Sequence, residues 1–131
     1  MGKLTSSDVV ELENQLRGAR ESLLRAIDQQ FLGREADERR LLYEHFAAGD
    51  TPLNPDLLSD LDVPLVECCF RELNAVDEAL KRIDYGVVGV CTECGGYIQP
   101  DRLRAEPTAQ TCSTCQERID ANLRRTMSHA G

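Results

Sequence analysis

Four cysteines in two closely spaced pairs constrain this chain more than any other feature. Cys91 and Cys94 form one C-x2-C pair, and Cys112 and Cys115 form a second pair after seventeen intervening residues. Each pair can place two thiolates on one metal ion. Two pairs complete the tetrahedral thiolate shell of a structural zinc site, which leaves no position for a substrate or an activated water. The spacing therefore predicts one structural zinc ion.

A pair of thiol redox switches is the competing interpretation, and the two are compatible because a zinc thiolate can itself be oxidised. The other two cysteines, Cys68 and Cys69, lie in a predicted helix. Cys69 falls on the apolar side of that helix and is interpreted as a small buried hydrophobe. We expect Cys68 to be exposed, and we assign it no role.

The first seven residues lack the apolar run of a signal peptide. No stretch approaches the ~20 apolar residues that span a bilayer. We therefore expect a cytoplasmic protein without a membrane partner. In that compartment cysteines are metal ligands or reduced thiols more often than disulfides.

The net charge is -8, and its distribution restricts the class of partner. Residues 51–90 hold eight acids and three bases, whereas residues 91–131 hold five of each. A protein that grips nucleic acid normally presents a basic surface. We therefore expect no direct sequence-specific DNA binding, and a cationic groove or channel of another protein suits this chain better.

Apolar spacing predicts a mainly α fold. A capping-box pattern at residues 5–8 opens a helix whose apolar residues recur every three or four positions. We predict one long helix over residues 8–48, with Gly33 as the place where it would break. Residues 49–55 contain a glycine and two prolines and therefore predict a turn, followed by a short helical turn from Asp56 to Leu61.

The second helical stretch has the most regular period in the chain. Pro64 kinks or restarts the helix, and Gly86 ends it. The apolar positions form a heptad seam. They are Val66, Cys69, Leu73, Val76, Leu80 and Ile83.

Together these patterns predict a long antiparallel coiled-coil helical hairpin, followed by a small C-terminal four-cysteine zinc-finger module and a terminal helix. We assign residues 1–85 to the helical region, with a tip at about residues 49–62, and residues 86–131 to the zinc module. A small helical bundle is the alternative, although no further segment looks long enough to complete it. A hairpin that satisfies its own seam needs no second copy, so we expect a monomer.

The sequence offers no catalytic set. It contains no recognisable Ser/His/Asp arrangement, phosphate-cradling loop or paired carboxylates beside a pocket, so we expect no enzymatic activity. His45 is interpreted as an ordinary helix residue and His129 as part of the tail, and the metal needs neither.

The stretch from Ala79 to Gln116 resembles the DksA/TraR family of bacterial RNA polymerase effectors, over about 38 residues with a specific order of motifs. The matching residues are Ala79, Leu80, Arg82, Ile83, Gly86, Gly89, Cys91, Cys94, Gly95, Ile98, Arg102, Leu103, Ala105, Pro107, Ala109, Cys112 and Cys115. The resemblance implies a transcription regulator that inserts a coiled-coil tip into the secondary channel of RNA polymerase, where acidic residues alter promoter complexes.

The tip departs from the family pattern, because the D-x-x-D-x-A motif of well-known members is missing. Its acids are Asp50, Asp56, Asp60 and Asp62, which we propose face the polymerase. Their alternative role is to cap a helix N-terminus and keep the chain soluble. Arg102 is assigned to an ion pair that fixes the zinc module or, alternatively, to a contact with polymerase.

A second departure concerns guanosine tetraphosphate (ppGpp). In responsive relatives basic residues hold its phosphates, and at the corresponding positions this chain has Ala75, Glu106 and Gln116. We therefore expect no shared ppGpp site. Two other functions stay open: a zinc-stapled adaptor that binds a different protein, and a thiol or zinc redox sensor.

Overall fold

Helices make up most of the chain in the computed structural model, which describes residues 4–49 and 52–130. Asp50, one of the predicted tip acids, lies outside the described residues. The helices are α1 (Ser6–Gln30), α2 (Ala36–Ala48), a 3-10 turn (Pro55–Leu58), α3 (Val63–Asp84), α4 (Pro100–Ala105) and α5 (Ser113–Ala130). Over the same described ranges, extended pairing is limited to one isolated bridge between Val90 and Tyr97. The predicted mainly α fold is confirmed.

The start of α1 is fixed by the predicted capping box. The backbone N–H of Thr5 donates to Asp8 Oδ2 at 3.1 Å, and the backbone N–H of Asp8 donates to Thr5 Oγ1 at 3.1 Å. These reciprocal bonds satisfy donors that a helix N-terminus otherwise leaves without partners.

The helix predicted over residues 8–48 breaks near Gly33, and the chain then reverses. Gly33 has a φ of 85°, in the left-handed region that glycine adopts at low cost. The Tyr43 hydroxyl donates to Asp28 Oδ1 at 2.7 Å. A straight helix would separate these residues by about 22 Å at 1.5 Å per residue. Helix α2 therefore packs back against α1.

Helices α1 and α3, one from each predicted arm, run antiparallel. Arg20, near the middle of α1, pairs with Asp77 in the second half of α3 at 2.8 Å. Gln30, at the end of α1, accepts a bond from the backbone N–H of Asp62, just before α3. Helix α2 joins these arms as a third helix. The expectation that no segment could complete a bundle is therefore wrong for this region, because it treated α2 as an extension of α1.

A core of six buried residues holds α1, α2 and α3 together. They are Ile27, Phe31, Leu42, Val66, Cys69 and Phe70. Half-buried leucines from residues 53–61 pack against the same core, so the segment between α2 and α3 covers apolar surface as well as connecting the helices.

Helix α3 follows the predicted heptad seam. Val66, Cys69 and Val76 are buried, and the remaining seam positions are half-buried. Cys68 is exposed, as expected from its place beside the seam. Pro64 occupies the second position of α3, where its missing N–H has no intrahelical partner to lose.

The chain divides into two compact units, Met1–Leu16 with Glu78–Gly131, and Arg17–Asp77. The first unit brings the beginning of α1 together with the cysteine-rich segment. Our predicted boundary between residues 85 and 86 instead divides the chain into two consecutive segments, and it stays a prediction. Over residues 4–49 and 52–130, no helix combines the length and the apolar character needed to cross a bilayer.

Candidate metal centre

The four predicted ligands converge on one point. The Sγ atoms of Cys91, Cys94, Cys112 and Cys115 all lie within 4.8 Å of one another, and those of Cys94 and Cys112 are 3.9 Å apart. Four sulfurs placed tetrahedrally around zinc at about 2.3 Å are about 3.8 Å apart. Within the described part of the chain, this is the one group of three or more ligating side chains arranged in this way. The cysteines form a site for a single structural zinc ion.

The first cysteine pair sits on a tight turn built by glycine. The backbone N–H of Gly95 donates to the Cys91 carbonyl at 3.0 Å, and the N–H of Gly96 points to the Cys94 Sγ at 3.4 Å. Gly95 has a φ of 73°, which suits a residue without a Cβ. The turn therefore presents both thiols on one side and directs an amide at one of them.

The second pair lies where helix α5 begins. Cys112 precedes the helix and Cys115 falls in its first turn, and the Gln116 N–H donates to the Cys112 carbonyl at 2.9 Å. The positive end of a helix stabilises nearby thiolates. A bond from the Thr92 N–H to the Gln110 carbonyl, at 2.9 Å, connects the two halves of the site.

The thiols differ in acidity before a metal is considered. Burial raises the pKa of Cys91, but backbone hydrogen bonds from Cys112, Cys94 and Glu93 outweigh it and lower the pKa to about 6. A hydrogen bond with the Cys112 thiol, together with burial, raises the pKa of Cys115 to about 12. Cys91 is therefore a much stronger acid than Cys115, and a divalent cation is what allows all four ligands to bind as thiolates together.

Arg102 fixes the segment that leads into the second pair. Its Nε donates to the Thr111 carbonyl at 2.8 Å, and its Nη1 lies 3.7 Å from Glu106 Oε2. The Arg102 side chain is only 17% exposed. These contacts favour the supporting role for Arg102 over the polymerase contact.

A short chain of polar side chains continues from Thr111. Its buried hydroxyl donates to Gln116 Oε1 at 2.7 Å, and Gln116 Nε2 donates to Asp120 Oδ1 at 3.0 Å. Both ends of the Gln116 side-chain amide therefore form hydrogen bonds within the zinc module. Sequence reasoning missed this network, because spacings of five and four residues between polar side chains have no distinctive pattern outside the folded helix.

Two of the three positions compared with ppGpp sites, Glu106 and Gln116, lie together in one open groove. The groove is lined by Arg102, Glu106, Ser113, Gln116, Glu117 and Asp120. The one arginine in this lining is already bonded to Thr111 and Glu106. Three carboxylates repel a polyphosphate, and the one arginine among them is already bonded, so this groove does not favour polyphosphate binding. Ala75 is half-buried on α3 and adds no charge.

The described tip acids lie in the second unit, Arg17–Asp77, and the side chains of Asp56, Asp60 and Asp62 are all exposed. Asp62 caps α3, because its Oδ1 accepts from the Leu65 N–H at 3.2 Å. This contact is the alternative role considered for the acids, and it applies to Asp62. The carboxylates of Asp56 and Asp60 make no comparable capping bond within residues 4–49 and 52–130.

The zinc segment matches a known family. Residues 83–121 match the prokaryotic dksA/traR C4-type zinc finger. An uncharacterized protein of Aquifex aeolicus (strain VF5) is 32% identical over 92 residues, which cover 70% of this chain. The match spans 59% of the length of that relative.

Solved structures extend the similarity to the helices. Transcription factor DksA2 from Pseudomonas aeruginosa is 27% identical with a TM-score of 0.65, over 91% of this chain and 88% of that one. The DnaK suppressor protein from Agrobacterium tumefaciens C58 is 28% identical with a TM-score of 0.56, over 89% and 98%. The RNA polymerase binding protein and transcriptional regulator Dks from Chlamydia trachomatis L2 shares the fold at 18% identity, with a TM-score of 0.52 over 92% and 96%.

Proposed function

We propose that this chain, which belongs to the DksA/TraR family of C4-type zinc-finger proteins, is a transcription regulator that binds bacterial RNA polymerase. The observation that carries the proposal is the combination of the zinc finger with an antiparallel helical unit in one fold similar to DksA2. Neither part alone would indicate this partner, since four-thiolate zinc sites occur in many unrelated proteins.

The zinc site has a structural role in this proposal. Four thiolates fill the tetrahedral shell, and Cys91 and Cys115 are nearly inaccessible, at 2% and 3% exposed. The site therefore holds the module together and performs no step of a reaction. A non-enzymatic regulator in the cytoplasm, acting as a monomer and without sequence-specific DNA binding of its own, is consistent with this role.

The acids between α2 and α3 are the proposed means of action. We propose that Asp56 and Asp60, with Asp62 and Asp50, enter the secondary channel of polymerase and modulate transcription initiation. An exposed carboxylate gains attraction to a cation when both leave bulk water, because screening falls with the local dielectric constant. The net charge of -8 favours such an approach to a cationic channel.

We also propose that this regulation does not use a ppGpp site shared with polymerase. The groove that holds Glu106 and Gln116 has three carboxylates and one engaged arginine, as described above. Specific, competable binding of ppGpp at the complex of the purified protein with polymerase would contradict this part of the proposal.

The test measures binding to purified RNA polymerase and initiation at a ribosomal RNA promoter. The test variant carries Asp56→Asn, Asp60→Asn and Asp62→Asn. We expect it to bind polymerase but to lose most of the effect on initiation. Absence of binding by the wild type would exclude the function and favour the adaptor. If the variant binds polymerase and has an unchanged effect on initiation, polymerase remains the partner, but the three acids are excluded as the means of action.

A matched control removes three charges elsewhere. Glu21, Glu72 and Asp84 are exposed helix residues, and changing them to their amides alters net charge by the same amount. We expect this control to retain the effect on initiation. An equal loss in both triple variants would show that overall charge, and not the segment between α2 and α3, determines the activity.

A further inference from the structure

We propose that Leu32, in the turn between α1 and α2, is an apolar anchor through which this chain contacts RNA polymerase. The proposal rests on the proposed function and adds a second chain segment to the polymerase-facing surface, which the sequence alone limits to residues 49–62. The reason for extending it is the reversal at Gly33, which brings another turn to the same part of the second unit.

Two contacts place this turn beside the acidic segment. Gln30 Oε1 accepts a hydrogen bond from the Asp62 N–H at 3.1 Å, and Arg34 Nη1 donates to the Leu57 carbonyl at 2.8 Å. They flank Leu32 on both sides in the sequence. The turn and the segment over residues 55–62 therefore form one continuous surface, which we call the two-loop surface.

The backbone of the turn is held by hydrogen bonds, but the side chain of its leucine, Leu32, is not packed in the core. Phe31 is fully buried, and its N–H donates to the Ile27 carbonyl at 3.1 Å. The next residue, Leu32, is 76% exposed. Because the backbone of the turn is already ordered, a partner that covers Leu32 needs to restrict only the rotamers of its side chain, which lowers the entropic cost of binding.

A second exposed leucine follows directly after the two-loop surface in the chain. Leu65, in the first turn of α3, is 44% exposed and bonds through its N–H to Asp62. Single exposed leucines are common and carry no meaning on their own. Two of them beside the exposed Asp56 and Asp60 combine apolar and acidic character, which is complementary to a basic protein surface with an apolar recess.

A second copy of this chain fits the surface less well. Pairing through the two-loop surface would bring Asp56, Asp60 and Asp62 against the same acids of the other copy. Like charges brought together across an interface oppose association. We therefore assign the surface to polymerase, whose channel is the cationic partner in the proposed function.

The test compares Leu32→Ser with Leu123→Ser in binding to purified core RNA polymerase. Leu123 is a matched control, because it is 57% exposed on α5 in the other unit. We expect Leu32→Ser to weaken binding at least about tenfold, since an apolar anchor loses its transfer free energy, and Leu123→Ser to stay within about twofold. Circular dichroism melting establishes that both variants keep the wild-type fold.

Each of the other outcomes excludes one defined part of the proposal. Wild-type affinity in Leu32→Ser, with wild-type binding present, overturns the anchor and leaves the proposed function standing. No binding by the wild type overturns the proposed function itself. Self-association of the wild type in sedimentation, abolished by Leu32→Ser, would overturn the assignment to polymerase in favour of a second copy.

Discussion

Arg104 donates a hydrogen bond from Nη2 to Asp8 Oδ1 at 3.3 Å, although 96 positions separate the two residues in the chain. Arg104 also bonds to Asp101 within α4, at 2.6 Å, so the guanidinium connects the first turn of α1 to the helix that precedes the second cysteine pair. Asp8 serves the capping box at the same time. One carboxylate thus joins the beginning of the chain to the zinc module.

This double role predicts an acid-dependent contribution to stability. The Thr5 N–H, the Thr5 side chain and Arg104 together lower the pKa of Asp8 below its usual value of 3.8. Because the folded pKa is the lower one, Asp8 stabilises the fold above pH 3.8 and ceases to do so as pH falls through the folded pKa. We expect Asp8→Asn to lower the free energy of unfolding at pH 7 and to have progressively less effect at acid pH.

Urea unfolding of both proteins at matched pH values measures this difference. Both carry the same zinc site, so its acid lability cancels in the comparison. A difference that grows as pH falls would contradict the prediction. Arg104→Gln should reproduce a smaller part of the effect, because Arg104 contributes less to the pKa of Asp8 than Thr5 does.

The zinc site predicts a sharp division among the six cysteines. We expect the wild type to bind one zinc ion per chain, and Cys115→Ser to lose it and to unfold the zinc module, since zinc binding supplies on the order of 10 kcal/mol in small zinc domains. Cys68→Ser should retain zinc and stability, because Cys68 is exposed and outside the cluster. Metal analysis measures the zinc content of each variant, and thermal melting measures its stability. Zinc bound to Cys115→Ser at wild-type affinity would exclude the four-thiolate assignment.

Much of this architecture follows from local chemistry and was predictable. The heptad seam on α3 depends on residues three and four apart, and the capping box at Thr5 and Asp8 on residues three apart. The C-x2-C pairs assign the metal ligands for the same reason. Each of these features is encoded within a few residues, so the rest of the fold is not needed to recognise it.

The reversal at Gly33 was harder to predict. Apolar spacing continues on both sides of the glycine, and the pattern is the same for a straight helix as for two helices packed together. What decides between them is tertiary: Phe31 packs edge-on against Tyr43, with ring centroids 5.2 Å apart, and Phe46 stacks on Phe70 at 5.6 Å. The exposure of Leu32 depends on that reversal, so no sequence pattern indicates it.

Two glycines of the first helical stretch should respond to alanine in opposite directions. Gly33 has a φ of 85°, which costs a residue with a Cβ about 1 kcal/mol or more, although the space around it is open. Gly18 lies inside α1 with an ordinary φ and no atom within 4 Å of an added Cβ. We expect Gly33→Ala to destabilise by about 1 kcal/mol and Gly18→Ala to stabilise by about 0.5–1 kcal/mol.

Chemical denaturation of the two variants measures whether each substitution raises or lowers the free energy of unfolding. Each change adds the same methyl group, so side-chain hydrophobicity cancels between them. Stabilisation by Gly33→Ala would show that the chain does not reverse at this residue.

Tyr43 reports on the packing of α2 against α1. Its hydroxyl donates to Asp28 Oδ1 at 2.7 Å, and its ring packs edge-on against Phe31 and Phe70. Burial, together with the bond to Asp28, raises the pKa of Tyr43 from 10.0 to about 12. Because the folded pKa is the higher one, the contribution of this neutral phenol is fully present below pH 10 and is lost as pH rises towards 12.

We expect absorbance titration of the phenolates to show a component near pH 12 that Tyr43→Phe removes. The chain has three tyrosines and no tryptophan, which keeps this signal simple. At pH 7 Tyr43→Phe should cost about 1 kcal/mol of unfolding free energy, the usual contribution of one hydrogen bond. Asp28→Asn is the partner control, and a double-mutant cycle should give a coupling of similar size. A titration complete by about pH 11, or additive effects of the two substitutions, would show that α2 does not pack on α1 through this pair.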